Sequence, residues 1–229
     1  MQSLLVTGTS TGVGKTGVAA AIACTLRSDG DRVGVLKPVC SGVDDDGRWE
    51  DIDRLTEADG HSRDELVGPL RFRDPLAPPQ AARREGRSVS LADLDAARDA
   101  WRPHADRLVV EGVGGLLCPL TDEATVADLI GRWGCPCVAV VGLTLGAINH
   151  ALLTAEVAQS RKLSLVGWIA SEPEPRTGPL ADELTDVAMQ EIVRRSGVPI
   201  IGWRSHGSDV IATGRAPTTA ATMRSWFAR

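Results

Sequence analysis

Leu4-Leu5-Val6-Thr7-Gly8-Thr9-Ser10-Thr11-Gly12-Val13-Gly14-Lys15-Thr16 is the stretch whose reading decides the fold. An apolar run rich in β-forming residues ends at Gly8 and gives way to glycines and hydroxyls. Gly17-Val18-Ala19-Ala20-Ala21-Ile22-Ala23 then opens a strongly helical segment. The order is strand, loop, helix. In such a loop successive backbone N–H groups turn inward at a helix N-terminus and meet the oxygens of a triphosphate. Gly12, Val13 and Gly14 supply the cradle and Lys15 reaches the β and γ phosphates. The Thr16 hydroxyl is the residue type that binds Mg²⁺ there. Five residues separate Gly8 from Gly14, where the common pattern has about four. The stretch implies a nucleoside triphosphate with magnesium.

Working outward, 229 residues fit one domain. A net charge of −5 and a pI of 5.4 offer no basic face, which argues against nucleic acid as the main partner. No charged N-terminal region precedes an apolar stretch, and no run is long enough to span a membrane, so the expected location is cytoplasmic. The five cysteines have no disulfide spacing. Cys135-Pro136-Cys137 enters the apolar run Val138-Ala139-Val140-Val141, and reads as buried, reduced thiols rather than a metal or redox pair.

Further strands are expected at Arg32–Leu36, Arg107–Glu111, Cys137–Gly142, Leu163–Ala170 and Val198–Gly202. Helices are expected from Glu50, from the Ser90 N-cap to about Trp101, from the Gly146 turn to about Ser160, and from Asp182 to about Arg195. Residues 61–89 read as irregular and proline-rich. Strands alternating with helices at this spacing predict a single α/β domain over residues 1–229. It is a P-loop NTPase-like, doubly wound, mainly parallel sheet with helices on both faces. Pro38 ends regular structure after Leu36, which puts Lys37 at the C-terminal edge of the sheet, where ligands bind. Glu111 ends the third strand and is followed by Gly112-Val113-Gly114-Gly115: an acid for the metal, then glycines that admit phosphate.

Three blocks in series, Gly8–Thr16, Lys37-Pro38-Val39-Cys40-Ser41-Gly42 and Val110-Glu111-Gly112-Val113-Gly114-Gly115, resemble the dethiobiotin synthetase family. A fourth, Gly146-Ala147-Ile148-Asn149-His150-Ala151-Leu152-Leu153-Thr154, resembles that family's helix at the substrate end. The likeness implies an ATP- and Mg²⁺-dependent ring closure. The diamine 7,8-diaminononanoate (diaminopelargonate) and CO₂ would form a carbamate, and phosphorylation would turn a carbamate oxygen into a leaving group. Attack by the second amine would then give dethiobiotin, ADP and phosphate. It implies roles residue by residue. Lys37, Lys15 and Thr11 form the catalytic set. Thr16, Asp51 and Glu111 hold Mg²⁺, with Asp53 and Asp44 to Asp46 as rivals for the middle place. Gly12 to Thr16, Asp51, Glu111, Gly112, Val113, Gly114, Ser171 and Glu172 contact the nucleotide. Thr11, Lys37, Ser41, Gly146 and Asn149 contact the diamine or carbamate, the last two across the interface of a homodimer.

Some residues depart from the family pattern. Gly12 stands where the family often has an acid. Ser171, followed by Glu172, replaces a base-reading Asn, and Trp203-Arg204-Ser205-His206 replaces a proline-containing segment. Two other readings compete: an amide-forming ATPase acting on a cofactor precursor, and a partitioning-type nucleotide switch. The switch class usually carries a further lysine early in the loop, where this chain has Thr9-Ser10-Thr11.

Overall fold

Six of the seven positions of β1 (Gln2–Gly8) are buried, as in a strand covered on both faces. The computed structural model describes residues 1–175, 181–214 and 216–228, with the side chains of 181–184 left aside. After β1 come α1 (Lys15–Ser28), β2 (Val33–Leu36), β3 (Val39–Ser41), α2 (Glu50–Asp59) and α3 (Asp64–Val67). They are followed by β4 (Leu70–Phe72), α4 (Pro78–Arg84), α5 (Leu91–Asp99), β5 (Arg107–Gly115) and α6 (Val126–Trp133). The remainder is β6 (Cys137–Gly142), α7 (Ala147–Ser160), β7 (Leu165–Ser171), α8 (Ala181–Ser196), β8 (Ile200–Arg204), β9 (Ala212–Thr213), β10 (Ala216–Pro217) and α9 (Ala220–Trp226).

The main sheet runs β10-β9-β8-β7-β6-β1-β5-β2. The strands from β2 to β8 in that row pair in parallel, and the short β9 and β10 close one edge antiparallel. β1 lies between β5 and β6. The chain moves to one flank for β2 and β5 and to the other for β6, β7 and β8. The carboxyl end of β1 is therefore a topological switch point, and the glycine loop leaves the sheet there.

Side-chain alternation explains why helices cover both faces. On β6, Val138 and Val140 belong to a large buried cluster with α1, α2 and α5. Ala139 and Val141 point the other way, into a second cluster with Trp168, Ala147, Ala151, Met189 and Ile192 of β7, α7 and α8. This is the α/β architecture that the alternating pattern implies. α5 starts at Ser90 with the expected reciprocal cap from Asp93, and Thr125 with Asp128 caps α6 in the same way.

Residues 61–89 are more regular than their composition suggests. Within them α3, β4 and α4 form, and β4 pairs in parallel with β3 as a separate two-stranded sheet. The prolines are compatible with that order because Pro78 and Pro79 occupy the first turn of α4, where no intrahelical N–H is needed. α6, β9, β10 and α9 are further elements not foreseen in the sequence. The five cysteines are free. Burial pushes the thiols of Cys135 and Cys137 up to about 11 and about 12, which keeps them protonated and inert. Among the described residues no helix is long and apolar enough to cross a membrane.

Candidate nucleotide-binding site

The loop turns at Gly12 and Gly14, both in the left-handed region with φ of 75° and 94°. Gly14 is the N-cap of α1 and has a second constraint: a Cβ there would sit 2.4 Å from Ser171 Oγ. Any side chain at this position would be both strained and blocked. The first bond of the helix runs from Val18 N–H to the Gly14 carbonyl. The N–H groups of Lys15, Thr16 and Gly17 consequently have no helical partner and are free to meet an anion. Lys15 folds back over the loop, its ammonium donating to the Ser10 carbonyl at 2.9 Å. Burial lowers its proton affinity, partly offset by Glu111.

Three elements bring charge to the same place. Lys37 follows β2, with its N–H bonded to the Val67 carbonyl at 2.7 Å. Asp51 lies in the first turn of α2, and Glu111 near the middle of β5. Thr16 Oγ1 is 2.7 Å from Asp51 Oδ1 and 3.0 Å from Glu111 Oε1. The Lys37 ammonium donates to Glu111 Oε1 at 3.0 Å and also pairs with Asp51. Glu111 is 1% exposed, and its other oxygen, Oε2, is buried with no hydrogen-bond partner. Burial raises the Glu111 carboxyl above its usual range against the pull of Lys37. For Lys37 burial works toward neutrality, but Glu111 and Asp51 outweigh it and its affinity for the proton rises. Asp51 is also opposed by burial, and Lys37 with the Thr16 hydroxyl brings its carboxyl below the usual range.

This cluster separates Asp51 from its rivals. Asp53 points out to Arg48, with contacts of 2.9 and 2.6 Å, and Asp44 accepts from the Arg48 backbone N–H. Two carboxylates and a hydroxyl are too few to enclose an ion. Among the described residues no group of three or more His, Cys, Asp or Glu gathers elsewhere to do so. Such an open set of hard oxygens suits Mg²⁺, which keeps waters and phosphate oxygens in its remaining positions. The orphan Oε2 of Glu111 is an unused ligand atom of the required kind.

The other anticipated residues are distributed around the same sheet edge. Thr11 is exposed on the loop, and its Oγ1 would be 3.7 Å from a Cβ at Gly114. Gly112, Val113 and Gly114 extend β5 past Glu111 rather than forming a separate loop. Ser41 ends β3, half-buried, in register with Phe72. Gly146 is the N-cap of α7 at φ 92°, and Asn149 is exposed in the first turn of that helix. Among the described residues no hydrogen bond joins Ser41, Gly146 or Asn149 to the Lys15–Lys37–Glu111 cluster.

Ser171 requires a correction. The sequence puts it in a base pocket, but the side chain is fully buried with Oγ under Gly14 and unpartnered. It packs the back of the loop and presents nothing to a ring. Glu172 likewise braces a turn: its N–H bonds to the Arg204 carbonyl and its carboxylate accepts the His206 N–H at 3.2 Å.

The sequence marks Arg204 only as a departure from the family pattern, and the structure packs it against the first turn of α1. It ends β8 and is 5% exposed, with its guanidinium laid against α1. A Cβ on Gly17 would meet Arg204 Cζ at 2.4 Å. Burial, then the charge of Arg54, lowers its affinity for the proton. No sequence signal short of the folded sheet places a β8 residue on the first turn of α1.

A family model described as an AAA domain matches residues 2–205. The chain belongs to that family. The family covers dethiobiotin synthetase-like P-loop NTPases and includes ATP-dependent ligases. Solved structures with a similar fold include the cell division protein FtsY of Thermotoga maritima, at 15% identity and TM-score 0.54. The match covers 100% of this chain and 68% of that one. The MinC:MinD cell division complex of Aquifex aeolicus is similar at 14% identity and TM-score 0.56, over 92% of this chain and 84% of that one. The signal recognition particle receptor FtsY of Elizabethkingia anophelis, in complex with GDP, gives 16% and 0.54 over 100% and 64%. At these identities the likeness shows the shared P-loop NTPase fold and nothing finer.

Proposed function

We propose that this protein is a dethiobiotin synthase, a cyclo-ligase that closes a cyclic urea on 7,8-diaminononanoate with CO₂ and ATP. The observation that carries the reading is the second lysine. Lys37 enters the phosphate site from β2, held between Asp51 and Glu111, in addition to the loop's own Lys15. Two ammonium groups at one phosphoryl site suit its transfer to an anionic acceptor, where negative charge spreads over the equatorial oxygens.

The chemistry needs little from side chains beyond charge and position. One amine of the diamine adds to CO₂, forming a C–N bond and losing a proton, which gives the carbamate. A carbamate oxygen attacks the γ-phosphorus, the bond to the ADP oxygen breaks, and a carbamic-phosphoric anhydride results. The second amine attacks the anhydride carbon and gives up a proton, phosphate leaves with the C–O bond electrons, and the five-membered urea closes. Lys15 and the N–H groups of Gly12 to Thr16 hold the triphosphate chain. Lys37 would bridge the transferring phosphoryl and the carbamate, and Thr11 would contact the carbamate from the loop. Thr16, Asp51 and Glu111 would hold Mg²⁺, which neutralises charge on the β and γ phosphates. Ser41 would contact the diamine. The substrate's carboxylate suits the N-terminus of α7, with Gly146 and Asn149, from a second copy of the chain. The fully exposed Leu145 and the exposed Leu153 beside that turn support a homodimer.

Phosphate release from ATP separates this reading from a nucleotide switch. A synthase releases phosphate only with both diamine and bicarbonate present, and omission of either returns the rate to background. A rate independent of the diamine would leave only an ATPase.

A further inference from the structure

We infer that Arg204 clamps the α-phosphate of the bound nucleotide, from the flank of the loop opposite to Lys37. The inference rests on the nucleotide reading of the loop and adds a residue to it. Arg204 is 5% exposed, and its Nε is buried without a hydrogen-bond partner. No carboxylate among the described residues pairs with it: the nearby Asp209 is taken by Arg54 at 2.8 Å. A buried guanidinium without a counter-ion is strongly unfavourable, so the position is explained by an anion that arrives with a ligand.

Geometry identifies which anion. The guanidinium lies on Gly17, where a Cβ would meet Cζ, Nη2 and Nε at 2.4, 2.5 and 2.7 Å. Its Nη1 is 3.8 Å from where a Cβ of Gly14 would stand. Gly14 and Gly17 bracket the turn of α1 whose N–H groups are free, so the cation borders the phosphate cradle itself. Lys37 comes to that cradle from β2, beyond β5 on one side of β1. Arg204 comes from β8, beyond β6 and β7 on the other. With the γ-phosphoryl between Lys15 and Lys37, the phosphate nearest Arg204 is the one joined to the ribose. Glycine at position 17 is then required for the fork to reach it. A planar fork suits two oxygens of one phosphate. Because the α-phosphate is not transferred, the contact serves ATP and ADP alike.

The experiment is titration calorimetry with MgATP, MgADP and magnesium tripolyphosphate on wild type, Arg204→Gln and Arg204→Lys, with melting curves to confirm folding. Loss of a charge-assisted pair should weaken all three ligands in parallel in Arg204→Gln, by roughly ten- to hundredfold. Arg204→Lys keeps the charge and loses the fork, so it should show a smaller parallel loss, and it serves alone where the Gln variant does not fold. Weakening of ATP and ADP with tripolyphosphate unchanged would overturn the inference in favour of stacking on the base. No change in any ligand would overturn it in favour of a packing role. Wild type that binds none of the three would instead remove the nucleotide reading, and the inference with it.

Discussion

Arg204 apart, Lys37→Gln is expected to lower kcat by roughly 10² to 10³, the usual effect of removing one preorganised donor to a developing charge. Gln keeps a hydrogen-bonding end on a side chain one atom shorter and loses the ammonium charge. The Kd for MgATP should change far less, because Lys15 and the loop N–H groups still hold the triphosphate. The free protein should fold, but with an altered cluster: Glu111 and Asp51 lose the cation that both now share. Steady-state kinetics with a direct nucleotide titration checks the split. A variant that binds ATP poorly yet turns over normally when saturated would reduce Lys37 to a ground-state contact.

Glu111→Gln should act on the metal instead. The substitution is nearly isosteric and keeps an acceptor near Thr16 and Lys37, but it turns the unpartnered Oε2 or its neighbour into an amide nitrogen. The Mg²⁺ concentration for half-maximal activity should rise by about tenfold or more, since even groups behind the ligands typically alter metal affinity by about 10- to 100-fold. Circular dichroism and melting temperature should report a folded chain. A folded variant with an unchanged magnesium titration would remove Glu111 from the ligand set.

Most of the framework was legible because its signals are local. The apolar strands, the Ser90 cap and the Gly12–Thr16 loop each depend on residues close in sequence, and the parallel order follows from strands alternating with helices. Asp51 is different. Five acids run from Asp44 to Asp53 in addition to Glu50; the family's Asp-x-x-x-Leu pattern favours Asp51, and the fold shows α2 turning it toward Thr16 while Arg48 draws Asp53 out. Ser171 was misplaced because a motif position fixes where a residue stands along a strand, not what covers it. Here Gly14 lies on top of it. Arg204 was missed for the converse reason. Its importance arises from contact with Gly17, far away in sequence, and from the absence of any described carboxylate partner. The segment 61–89 looked irregular because its prolines mark helix starts rather than breaks, as at Pro78.

The claim that a carbamate oxygen receives the phosphoryl group is tested most directly by isotope transfer. Bicarbonate labelled with ¹⁸O, added with MgATP and 7,8-diaminononanoate in ordinary water, should give phosphate carrying one ¹⁸O per urea formed. The label should appear at early times, before exchange with solvent removes it from bicarbonate. Phosphate released at the same rate without label, its new oxygen coming from water, would contradict the account.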